Sequence, residues 1–306
     1  MARNPFTIWV SFFGLLIGLM LAAVLLSGRG RLFGEAPVPS RPDSLRIVSL
    51  APNLTEILFA LGLQDKIVGV SSDSNFPPQA AQYKKVGSFW NPDVEAVLSV
   101  RPSLVITLGF AQQANLAALL EKAGCQTLQV DIDTIEQLYE AIRRIGRATG
   151  SQESAERLIK EIADGLEAYR GRAANCGCKV LWVVQRQPLR AAGKNTYFTE
   201  LLETAGAVNA VQSVMFQYPP LSEEQFLLTG ADVIIETADS SDDWQRQKAS
   251  AEIFYSRFKG IPAVEQRRIC IVDSDLLCRL GPRLPLAMEA IVNCICRQKL
   301  EQGKPQ

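Results

Sequence analysis

The sequence predicts an α/β protein of two similar lobes, each a mostly parallel sheet covered by helices. One long rigid helix is expected to join them, and a transmembrane helix to precede them. Three observations carry this. From residue 44 on, short apolar runs alternate with helical patterns. The same alternation restarts after residue 178, partly with the same residues. Between the two series lies a long stretch with charges on one helical face and Leu, Ile and Ala on the other. At 306 residues the chain accommodates two lobes of about 100–150 residues each.

Residues 6–27 are almost wholly apolar, with no charge between Arg3 and Arg29. At about 1.5 Å per residue the run spans roughly 33 Å, enough for a bilayer core. A secretory signal has a shorter apolar core and a small-x-small exit, and Leu26-Ser27-Gly28 is a poor one. The segment (1–34) therefore reads as an uncleaved anchor, with a cleaved signal as the alternative; it holds no cysteine for a lipid attachment. Arg29 and Arg31 on its far side weaken the positive-inside argument for orientation. Residues 35–44, with Pro37, Pro39 and Pro42, read as an extended linker.

The first lobe, expected over 45–148, opens with a β-branched run at 46–50 and a helix at 53–61 closed by Gly62. Strands follow at 66–71, 104–108 and 126–131, with a helix at 112–123 between the last two. The helical stretch covers 134–149 and 152–173, broken only at Gly150, with Ser151 or Ser154 to cap its second part. Its portion at 149–176 is the expected connecting helix. The second lobe, 177–298, offers strands at 179–185, 233–236 and 268–272 and helices at 197–205 and 285–297; 299–306 is a polar tail.

The halves also share sequence. Thr55-Glu56-Ile57-Leu58 followed by Gly62 is matched at identical spacing by Thr199-Glu200-Leu201-Leu202 followed by Gly206. Glu95-x-x-Leu98 leading into Leu104-Val105-Ile106 is matched by Glu224-x-x-Leu227 leading into Val233-Ile234-Ile235. Two matches in one order argue for an internal duplication, and two lobes on a stiff helix leave a cleft between them, where ligands bind.

Composition narrows the function. Lys plus Arg and Asp plus Glu are equal at 32, and no basic run marks a nucleic-acid partner. There is no histidine, which removes His-based zinc sites and Ser-His-Asp triads. No G-x-S-x-G elbow or phosphate-binding P-loop occurs, and Gly28-x-Gly30-x-x-x-Gly34 follows an apolar segment rather than a strand, so no catalytic residues are expected. Seven cysteines allow one or two bridges and leave at least one thiol over. The pairs Cys176-x-Cys178 and Cys294-x-Cys296 are spaced too closely for the usual metal site, and none is expected.

Distinctive segments recur along the first half at Ile47 through Glu56, Val68-Gly69-Val70-Ser71-Ser72, Phe76-Pro77-Pro78 and Asn91-Pro92-Asp93-Val94-Glu95. The second half adds Ala192-Gly193-Lys194, Tyr218-Pro219, Leu221-Ser222-Glu223-Glu224, and Asp273-Ser274-Asp275 through Gly281-Pro282-Arg283. Together these segments resemble the helical-backbone (class III) periplasmic binding proteins, and among them the cobalamin-binding components of ABC importers. The resemblance implies an extracytoplasmic receptor, expected as a monomer held at the membrane by residues 6–27. It would capture a corrinoid such as cobalamin and deliver it to a permease and its ATPase. An iron–siderophore receptor of the same fold, or an anchored sensing lobe without transport, are the alternatives.

The resemblance also implies roles for residues. Glu95 and Glu224, the pair that the duplication aligns, would dock onto permease arginines; alternatively they are solvated first-turn glutamates. Phe89 and Tyr218 each stand six residues before these glutamates and would grip a flat macrocycle from opposite walls, with Trp90 a weaker candidate. Asp275 and Arg279 match polar positions at the second lobe's mouth, or form a surface ion pair. The chain departs from the family at Asp73, where an aromatic is frequent, at Arg190, another aromatic position, and at Leu108, where a tryptophan can occur. A cysteine pair found in some cobalamin binders falls on Ala205 and Val292. Asp73 and Arg190 make the site more polar, and Arg190 would suit an anionic group on the ligand.

Overall fold

Ile47, Val48 and Ser49 are fully buried and form β1 (Ile47–Ser49), on which the first sheet is built. The computed structural model describes residues 45–302 except 110, 175–176, 214 and 240–242, with backbone alone at 111–114 and 297–302. The chain divides into Met1–Arg41 and Pro42–Gln306, and only the second unit holds described residues. The expected membrane segment at 6–27 and the linker at 35–44 lie outside them. No helix among the described residues is long and apolar enough to cross a membrane.

β1 lies between β2 (Ile67–Val70) and β3 (Leu104–Leu108), and β4 (Gln126–Val130) closes the sheet in the order β2-β1-β3-β4, all parallel. Burial on both faces explains why β1 and β3 read as continuous apolar runs rather than alternating ones. Three helices connect these strands: α1 (Pro52–Ala60), α2 (Val94–Ser99) and α3 (Ala111–Lys122). Pro52 starts α1 where its missing N–H costs nothing.

The second sheet repeats the first. β5 (Lys179–Arg186) pairs in parallel with β7 (Val208–Asn209) and β8 (Val233–Ala238), and β8 with β9 (Ile269–Asp273). The order β7-β5-β8-β9 reproduces β2-β1-β3-β4, as a duplication requires. The addition is β6 (Leu189–Ala191), antiparallel on β5. After β5 and β6 comes α6 (Tyr197–Ala205), the counterpart of α1, and α7 (Glu223–Leu228) is the counterpart of α2. Three further helices follow: α8 (Trp244–Tyr255), α9 (Pro262–Glu265) and α10 (Ser274–Leu277).

The single long connecting helix is corrected to two. α4 (Ile135–Thr149) begins with a Thr134–Gln137 capping box and ends at Gly150, whose φ of 73° only glycine adopts readily. α5 (Gln152–Glu167) then folds back on α4, and Arg143 pairs with Glu156 across the joint at 3.2 Å. α5 also stops at Glu167 rather than continuing to 173. The turns after it dock on the end of α6, through Gly171 N to Thr204 O at 2.8 Å and Ala173 N to Ala205 O at 2.7 Å. The last helix, α11 (Leu284–Gln302), runs into the stretch expected as a polar tail.

One apolar core runs through both halves, from Ile47, Leu54 and Leu104 through Ile145 and Ile162 to Trp182, Phe198 and Ile291. Smaller clusters cover the other face of each sheet, around Val86 and Leu120 in the first and Phe226 and Tyr255 in the second. Ala205 and Val292, the positions of the family's cysteine pair, are both buried in the continuous core. Cys178 is disulfide-bonded, whereas Cys125, Cys278 and Cys296 are thiols.

Candidate functional site

In parallel sheets the crevice beyond the carboxyl ends of the strands is where ligands bind. Asp73 lies just after β2, and Asp275 just after β9. The two ends meet there: Asn75 Nδ2 donates to Asp275 Oδ2 at 2.9 Å, joining the first half to the second.

Arg279 is at the centre of this meeting. It pairs with Asp275 at 2.6 Å, donates to Asn75 Oδ1 at 2.5 Å and to the Asp73 carbonyl at 3.3 Å, and lies 3.7 Å from Glu56. Arg283 holds the Glu56 carboxylate with two contacts, at 2.8 and 2.6 Å, and stacks over the Phe76 ring at 4.0 Å. The side chains of Glu56, Arg283 and Arg279 are only 3%, 13% and 15% exposed. Burial pushes the Glu56 carboxyl upward against the opposing pull of Arg283 and Arg279. Asn53 adds a bond to the Leu280 carbonyl at 3.1 Å. Asp73, Asp275 and Arg279 are thus brought together, but the Asp275–Arg279 ion pair expected as an alternative does form, and Arg279 is committed to protein partners.

The aromatic candidates differ in how they are presented. The Phe89 N–H donates to Asp73 Oδ2 at 2.5 Å, so the aspartate found in place of a family aromatic holds the aromatic loop instead. That loop turns at Gly87, with φ 95°, where any Cβ would lie 2.4 Å from Asp93 N. The half-buried Phe89 ring lies edge-on to Trp90, with centroids 4.7 Å apart, and Trp90 is 71% exposed. Tyr218 is half-buried and meets the buried Trp182 edge-on at 6.2 Å. Burial, followed by the proximity of Cys278 and Asp133, pushes its phenol up to about 12. Nearby in sequence Phe216 and Met215 are exposed, and neither figured in the sequence reading. Arg190, on β6, donates to the Tyr218 carbonyl at 3.2 Å. Leu108 is buried at the end of β3.

Glu95 and Glu224 occupy equivalent places in the first turns of α2 and α7, both exposed. Each helix is capped by its preceding residue: Asp93 accepts from Ala96 N at 3.1 Å and Ser222 from Gln225 N at 3.2 Å.

Sequence reasoning missed Glu56, Asn75 and Arg283 as members of the cluster. A signal existed for the first. Glu56 stands among Leu54, Thr55, Ile57 and Leu58 in a helix that buries them all, and a carboxylate so placed needs cationic partners. Cys278, exposed and close to Asp275, Arg279 and Tyr218, was likewise passed over.

A two-sheet α/β receptor with its polar groups gathered beyond the strand ends is the architecture of a solute-binding protein. The periplasmic binding protein family model matches residues 47–276, and the chain belongs to that family. Relatives include an uncharacterised ABC transporter substrate-binding lipoprotein, YvrC, of Bacillus subtilis, 29% identical over 92% of this chain and 96% of that one. The vitamin B12-binding protein of Vibrio cholerae is 25% identical over 80% of this chain and 87% of its own length. Among solved structures, the periplasmic heme-binding protein RhuT of Roseiflexus sp. RS-1 superposes with a TM-score of 0.71 at 27% identity, covering 82% of this chain and 98% of that one.

Proposed function

We propose that this protein is the extracytoplasmic ligand-capture component of an ABC importer, holding a corrinoid between its two lobes for delivery to a permease and ATPase. The observation that carries the reading is the convergence of Asp73, Asn75, Asp275 and Arg279 from both halves beside the Phe89–Trp90 aromatic pair. Aromatic faces offer a flat macrocycle its largest apolar contact, and the polar cluster holds the aromatic loop in place through Asp73. The B12-binding relative supports a corrinoid. A haem reading has the solved RhuT relative in its favour, although a chain without histidine offers iron no imidazole. The exposed Arg190 would suit an anionic group, whether a corrinoid phosphate or a siderophore carboxylate.

The test is direct. The protein is incubated separately with cyanocobalamin, haemin and a ferric siderophore, desalted, and read by its visible spectrum, with calorimetric titration for affinity. Corrinoid absorbance should co-elute at about one per chain. Phe89→Ala and Tyr218→Ala should each weaken binding by about ten- to hundred-fold, the loss of roughly 1.5–3 kcal/mol of apolar burial per ring. Retention of haem or siderophore in place of corrinoid would reassign the ligand, and retention of none would overturn the proposal.

A further inference from the structure

We infer that Glu56 and Glu200, equivalent residues of the duplicated helix, are reciprocal cross-links that set how the two halves are held, with a strong clamp on one side and a weak one on the other.

Glu56 lies on α1, the helix after the first strand of sheet one. Glu200 lies on α6, its counterpart in the second half. Glu56 reaches Arg279 and Arg283, which follow β9, the last strand of the second sheet. Glu200 Oε2 accepts from the N–H of Ile135, which follows β4, the last strand of the first sheet, at 3.3 Å. Each glutamate therefore crosses to the same topological position in the opposite half.

The chemistry then separates the two ends. Glu56 takes a forked, charge-assisted contact from one guanidinium and a longer one from a second, in a buried setting where such bonds are strongest. Glu200 takes one long bond from the first N–H of α4, an unsatisfied donor at a helix N-terminus where negative charge is favoured. Through Arg279 the strong clamp also reaches the Asp73 carbonyl, and through the Asp73 side chain the backbone of Phe89. Glu56 is thus a positioning residue for the aromatic loop. Movement between the halves should loosen the Glu200 side first and leave the Glu56 side as the fixed point.

The experiment needs no ligand, so its failure is separate from any failure of the proposed function. Amide hydrogen exchange followed by mass spectrometry is measured on the wild-type chain, Glu56→Gln and Glu200→Gln, each checked by circular dichroism. Glu56→Gln should speed exchange by about ten-fold or more in both 50–60 and 274–284, and also at 86–91, while β3 and β8 stay protected. Glu200→Gln should speed exchange by a smaller factor, confined to 133–138 and the neighbouring turn of α6. If Glu56→Gln does not fold, Arg283→Lys, which keeps the charge but loses the fork, serves in its place. Unchanged exchange at 274–284 in a folded Glu56 or Arg283 variant, or a larger effect from Glu200→Gln than from Glu56→Gln, would overturn the inference.

Discussion

Cys278 is reached by solvent, yet its thiol is pushed up to about 11, first by desolvation and further by Asp275 and Asp239. The reactive species is the thiolate, so at neutral pH Cys278 should alkylate about ten- to hundred-fold more slowly than an unperturbed exposed cysteine. Its rate should keep climbing until pH approaches 11. The contribution of this thiol to stability is fully present below the ordinary thiol range and is lost as pH rises through about 11. Peptide mass spectrometry after timed iodoacetamide treatment checks the rate. Labelling at pH 7.5 as fast as that of a free thiol would contradict the assignment, and slower labelling with bound ligand would place the occupant over Cys278.

At the scale of elements, α2 and α7 are the informative pair: two six-residue helices, each N-capped, each presenting a glutamate to solvent in its first turn. If they dock on permease arginines, reversing Glu95 and Glu224 to Lys should leave ligand affinity within a few-fold and abolish uptake, because like charges would then face one another. Uptake assays beside calorimetry on the double variant check this, and intact uptake would return both residues to the role of solvated helix-start glutamates. Most elements were legible in the sequence because their burial is complete. The buried run at 104–108 is β3, and 197–205 is α6 residue for residue. The elements that escaped bury little or pair locally. β6 is a three-residue edge strand, and α8 fully buries only Ala251 and Tyr255. The break between α4 and α5 was visible as Gly150, but the fold-back was not, since the Arg143–Glu156 contact that accompanies it joins two exposed-looking charges. The site followed the same rule. Asp275 and Arg279 were named through the resemblance at their own positions, whereas their partners Asn75 and Glu56 come from the first half and are adjacent to them only after folding.

For the molecule as a whole, the core matters more than the count of lobes. The same apolar cluster contains Ile47 and Leu104 of the first sheet and Trp182 and Ile235 of the second, bridged by α4, α5 and α11. Two halves that share a core should not unfold separately. Thermal unfolding followed by circular dichroism and by tryptophan fluorescence should give one coincident transition, and two resolved transitions would show that the bridge contributes little. The Glu56 contacts carry a consequence of another kind, for inheritance. A duplicated protein invites recombination at its midpoint, with one half exchanged for that of a relative. Here a crossover near Gly150 would part Glu56 from Arg279 and Arg283, and Glu200 from the start of α4. A chimera would keep every residue of each donor half and still bury a carboxylate opposite whatever the other donor supplied. The unit that can be traded is therefore a helix together with the distant segment it grips, and substitutions at Glu56 and at its two arginines should arise as compensating changes across the length of the gene.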